Sequence, residues 1–168
     1  MKLFVIGMVM GWIILPVAGF LYLRFGYVPV AVDGPVIPFE QLLAGSAITA
    51  KIAREAPTQA ALPASEENIV GGAKIYKENC VECHGLPNSQ RTAAAKGMFP
   101  DPPQFFERRA TGVDPVGQNY WVVANGIRLT GMPGYKRSLS EQQIWQVSQF
   151  LSNRGTLPPA AQQALARQ

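Results

Sequence analysis

The chain is poor in metal-binding side chains, and its two cysteines and one histidine lie together. His84 is the only histidine among 168 residues, so a site built on two imidazoles is excluded. Cys80 and Cys83 are the only cysteines, and with His84 they fall short of the four ligands of a structural zinc site. A disulfide between them is the plainest reading in an oxidising compartment. A thioredoxin-type redox pair wants a βαβ pattern nearby, and no period-2 run stands out. No internal repeat is evident. The charge balance is modest, with 15 Lys+Arg against 11 Asp+Glu overall. Residues 64–168 carry 11 basic and 8 acidic side chains, mostly scattered. That supports neither nucleic-acid binding nor strong electrostatic steering. The adjacent pair Arg108-Arg109 reads as a solvated face.

What is present is Cys80-Val81-Glu82-Cys83-His84. Cys-x-x-Cys-His is the attachment signal for a c-type haem. Two thioethers fix the porphyrin, and the adjacent imidazole takes the iron from one side. With no second histidine, the other axial position falls to another residue type or stays open. Lys and Tyr are usually protonated, which leaves the thioethers of Met98 and Met132 outside the apolar N-terminal run. Met132 lies in Thr130-Gly131-Met132-Pro133-Gly134-Tyr135, where glycine and proline allow a close, stiff approach by a loop. It is the favoured ligand. Met98, in Lys96-Gly97-Met98-Phe99-Pro100, reads as core packing.

Residues 3–23 carry no charge, with Lys2 before them and Arg24 after. Twenty-one helical residues at about 1.5 Å each span roughly 31 Å, the thickness of a bilayer's hydrocarbon core. Pro16 is a kink that membranes tolerate, and Tyr22 and Tyr27 sit where interfacial aromatics are expected. A cleaved signal peptide competes, with Pro16-Val17-Ala18-Gly19 as a cleavage-like region. The apolar run continues past it to Leu23, which favours an uncleaved anchor.

The rest divides into three parts. Residues 26–64 read as an extracytoplasmic connector with a helix near 38–56. That helix has Phe39, Leu42 and Leu43 on one face and Ile48 and Ile52 nearly opposite, so it wants two partners. Residues 65–157 read as the compact domain, and 158–168 as a frayed tail. Ser65 is an N-cap, and Asp114-Pro115 opens a short helix that stops at Asn125-Gly126. Ser140 with Gln143 predicts a capping box, and Leu139 with Ile144 a hydrophobic staple. Ile144, Val147, Phe150 and Leu151 form the last helix's buried face. Trp145 lies off that face, available to a partner or to the chain's own linker.

Over about residues 65–155 the chain resembles the class I cytochrome c family. The likeness rests on Gly72 and Tyr76, Cys80–His84, Gly131-Met132-Pro133 and the final helix. The resemblance implies an all-α class I cytochrome c fold around one covalently bound haem c, here preceded by a single N-terminal transmembrane helix. It implies His84 and Met132 as axial ligands, and first and last helices that cross, with Gly72 and Tyr76 meeting Val147 and Phe150. A family proline accepts the histidine's second N–H through its carbonyl. Pro100 best fits that role, with Pro102 and Pro103 as alternatives. Arg91 and Trp121 are candidates for the haem propionates. The expected function is one-electron transfer between membrane-associated redox partners by an anchored carrier that is not itself an enzyme. The expected location is the cytoplasmic (inner) membrane of a bacterium, with the haem domain facing the periplasm. A fixed electron-transfer subunit of a larger respiratory or photosynthetic complex is the alternative. A haem enzyme or gas sensor with open iron is less favoured, since a distal histidine and a second haem motif are lacking.

Overall fold

The computed structural model describes residues 1–107 and 114–166. The Arg108-Arg109 pair and the last two residues of the tail lie outside them. Among the described residues the chain is helical and contains no strand. It divides into two units, Met1–Gln41 and Leu42–Gln168.

The first unit is dominated by α1, Lys2–Arg24, a 23-residue helix that continues through Pro16. It is the one helix among the described residues long and apolar enough to cross a membrane, with a mean hydropathy of 2.3. All of its residues but Gly11 are exposed, as expected of a helix whose solvent is lipid. Tyr22 and Tyr27 stack at 5.8 Å at its C-terminal end.

The second unit holds nearly all of α2, Glu40–Glu55, and then α3, Glu66–Asn79. Short helices α4, Val81–His84, and α5, Ala93–Lys96, follow. Next come α6, Val116–Asn125, α7, Glu141–Ser152, a 3₁₀ turn at Arg154–Thr156 and α8, Pro159–Ala166. Local sequence explains the starts. Ser65 Oγ accepts from Asn68 N, and Ser140 and Gln143 form the capping box in both directions. α6 begins one residue later than its Asp-Pro start suggests, because the Asp114 carbonyl is taken by Asn119 Nδ2 and Ser152 Oγ.

The core lies where α3 crosses α7. Ile69, Ala73 and Tyr76 meet Ile144, Val147, Phe150 and Leu151, all buried. Gly72 makes the crossing possible: a Cβ there would lie 2.1 Å from the Gln146 carbonyl oxygen and 2.7 Å from Phe150 Cβ. Val123 and Ala124 of α6 close one side.

Two expectations are corrected here. The segment after Pro158 is not a frayed tail: α8 docks on α3 and buries Ala161 and Leu165. An alanine-rich stretch looks polar-neutral in sequence, but its small side chains allow close helix contact. Trp145 is not a partner-facing residue. It is 4% exposed and stacks on Tyr120 with ring centroids 4.1 Å apart. The apolar face of α7 is wider than its periodicity indicates, because α6 covers a second side of it.

Candidate haem site

The attachment motif occupies one helical turn. Spacings of three and four residues put Cys80, Cys83 and His84 on one side of α4. His84 N donates to the Cys80 carbonyl at 2.9 Å. Tyr76 Oη donates to the Gly85 carbonyl at 2.7 Å, tying this turn to the core. The Tyr76 ring meets Phe105, Phe106 and Phe150, so the turn rests on an aromatic cluster.

His84 Nδ1–H donates to the Pro103 carbonyl at 2.8 Å. Pro100 lines the same cleft but does not take this bond, so the expected partner is corrected from Pro100 to Pro103. The reason lies just after the proline run. Gln104 Nε2 donates to the Cys83 carbonyl at 2.8 Å and to the Pro102 carbonyl at 3.0 Å. Phe105 stacks on the His84 ring at 4.6 Å and 19°. These contacts clamp the end of the loop, not its beginning, against the histidine. Burial pushes the His84 pKa down, against the opposing effect of its bond to Pro103. The ring is therefore neutral at neutral pH. Its Nδ1 proton is spent on Pro103, and Nε2 has no hydrogen bond among the described residues. That is the form in which imidazole binds a metal. Burial, then the neighbouring Cys83, pushes the Cys80 thiol up to about 12.

The Met132 loop is pinned at both ends. Gly126 ends α6 at φ +67°, a conformation that favours glycine, and a Cβ there would lie 2.5 Å from Gly134 N. Ile127 N donates to the Met132 carbonyl at 3.1 Å. Thr130 Oγ1 donates to the Ile127 carbonyl at 2.8 Å and accepts from Met132 N at 3.1 Å. Tyr135 N donates to the Val123 carbonyl, and Tyr135 Oη to the Asn79 carbonyl at 2.8 Å.

Together these elements enclose a cleft of about 920 Å³, measured out to open solvent. Cys80, Cys83, His84, Met98, Pro100 and Met132 all line it. Its other walls are mostly apolar, including Pro102, Phe105, Val122, Ile127 and Leu151. Such a cleft excludes water from a flat hydrophobic macrocycle. Its donor set is two thiols, one neutral imidazole and two thioethers, which fits haem c. Arg91 pairs with the cleft-lining Asp101 at 3.2 Å, and its Nε is buried with no partner among the described residues, a donor suited to a carboxylate. Trp121 does not line the cleft; its Nε1 donates to Glu55 Oε2 at 3.3 Å.

Sequence reasoning missed Gln104, Phe105, Thr130 and Tyr135. The last two stand inside the Thr130–Tyr135 motif, where a hydroxyl two residues before a loop methionine is a readable turn signal. Gln104 and Phe105 act across the fold and leave no local pattern.

No curated protein and no solved structure matches the chain. The family model for cytochrome c oxidase, cbb3-type, subunit III matches residues 67–151, which run from α3 through α7 and contain the whole cleft. Half of the chain is covered, and the chain belongs to that family, with a class I cytochrome c domain as its haem-binding unit.

Proposed function

We propose that this protein is a membrane-anchored, one-electron carrier whose single haem c is attached through Cys80 and Cys83, with His84 and Met132 as axial ligands. Bound there, the haem supplies a reversible Fe(III)/Fe(II) couple. His84 contributes a neutral, oriented imidazole, and the Pro103 carbonyl raises its basicity by accepting the hydrogen bond from Nδ1–H. Met132 offers a soft thioether, which favours Fe(II) and raises the potential above that of two nitrogen ligands. With His84 and Met132 both on pinned loops, they would leave substrate little access to a bound haem iron and would let its oxidation state change with few atoms moving. The observation carrying this reading is that two separately pinned loops bring His84 and Met132 to one apolar cleft. α1 would hold the domain at the outer face of the cytoplasmic membrane, facing the periplasm, at high local concentration near membrane-bound redox proteins. Leu129, between Ile127 and Thr130 of the cleft wall, is 94% exposed and offers a partner an apolar contact beside the site. Met132→Ala should open the iron and lower the reduction potential. An unchanged spectrum and potential would refute its ligation.

A second reading is a fixed electron-transfer subunit of an oxidase complex, which the family description favours. The exposed Phe39, Leu42 and Leu43 also suit a permanent neighbour. Gentle detergent extraction followed by sizing separates the two. Migration as a lone cytochrome supports the carrier, and co-migration with an oxidase supports the subunit.

A further inference from the structure

Met98 stands across the cleft from no hydrogen-bonding role, yet its side chain has a specific neighbour. A Cβ built on Gly131 would meet Met98 Sδ at 3.1 Å, Cε at 3.2 Å and Cγ at 3.7 Å, and these are its three nearest atoms. The end of the Met98 side chain thus fills the space in front of Gly131, the residue before Met132. Gly131 itself makes no backbone hydrogen bond among the described residues. The hydrogen bonds of the loop hold Ile127, Thr130 and Met132, and none among the described residues uses the N–H or carbonyl of Gly131 itself. Met98 belongs to the same stretch, residues 97–104, that delivers the Pro103 carbonyl to His84. Gln104 anchors that stretch to Cys83.

We propose that Met98 is a positioning residue for Met132, and that the 97–104 loop braces both axial ligands: His84 through Pro103, and Met132 through Met98 and Gly131. The proposal rests on Met132 being the second axial ligand. Met98 acts by shape. A flexible thioether fits an irregular gap well, and a side chain of similar volume replaces it at little cost. A side chain at 131 would press on the end of Met98, which would have to shift by a few tenths of an ångström to admit it.

The test uses the full-length, haem-loaded protein and reads carbon monoxide binding by the reduced form together with the reduction potential. Five variants are needed: Met98→Ala, Met98→Leu, Gly131→Ala, the double variant Met98→Ala/Gly131→Ala, and Met132→Ala. Met98→Ala should speed carbon monoxide binding about tenfold and lower the potential, as loss of a supporting contact does. Met98→Leu should stay close to the parent protein. Gly131→Ala should loosen the site, and the double variant should recover most of the loss, because the new methyl group enters the space Met98 vacates. If Met132→Ala opens the iron while Met98→Ala matches the parent, Met98 is packing only and the proposal is wrong. If Met98→Leu is as open as Met98→Ala, the sulfur itself is needed and the shape argument fails. If Met132→Ala leaves the iron unchanged, the ligation reading has failed, and this proposal falls with it. The leucine and double variants preserve packing, so they report even if Met98→Ala folds poorly.

Discussion

His84 sets the chemistry of the site through its two ring nitrogens. Pro103 holds one, and the other is left for a metal. Burial holds the His84 pKa below the ordinary 6.5, so the ring is offered in its neutral form. Gln104 is the second decisive residue. Gln104→Leu leaves the Cys83 and Pro102 carbonyls without their donor and should cost about 1 kcal/mol in chemical unfolding, since two part-buried carbonyls lose a partner. His84, Cys80 and Cys83 were legible because their spacing is local and fixed by a single helical turn. The histidine's proline was not, because its choice among Pro100, Pro102 and Pro103 depends on Gln104 and Phe105, whose contacts with the Cys83–His84 turn span some twenty residues.

Among the elements, the crossing of α3 and α7 carries the fold. Gly72→Ala would drive a methyl group into the Gln146 carbonyl, which is backbone and cannot swing away. It should cost about 3 kcal/mol or prevent folding outright, read by thermal unfolding. The crossing was readable from Gly72, Tyr76 and the last helix, whose capping box is observed atom for atom. The breadth of the core was not. Trp145 sits off the helix's apolar stripe, yet α6 buries it against Tyr120, and α8 hides Ala161 and Leu165 under α3. Periodicity reports one face of one helix, whereas these residues are buried by a second neighbour. Truncation after Leu157 should accordingly destabilise the domain by about 2–4 kcal/mol, the scale of losing a buried leucine and its surroundings. A truly frayed tail would leave the melting temperature unmoved. The connector also docks. The Pro57 carbonyl lies where a Cβ on Gly117 would stand, at 1.8 Å, and Gln149 Nε2 donates to the Leu62 carbonyl. Gly117→Ala should release residues 57–62, seen as faster proteolysis there with an unchanged haem spectrum.

For the whole molecule, the apolar α1 and the haem domain divide the work between location and chemistry. Removing residues 1–25 should release a soluble protein whose absorbance spectrum matches that of the full chain, checked by fractionating membranes. If electron exchange with the membrane's redox proteins then slows while exchange with a small inorganic reagent does not, the anchor acts through local concentration. The central proposal concerns the iron: His84 and Met132 closing it from both sides would make the protein a carrier and not a haem enzyme or a gas sensor. The most direct measurement is carbon monoxide binding by the reduced full-length protein at neutral pH. Slow, incomplete binding is the expected result, because the gas must displace Met132 from a pinned loop. Rapid, complete binding would contradict the account.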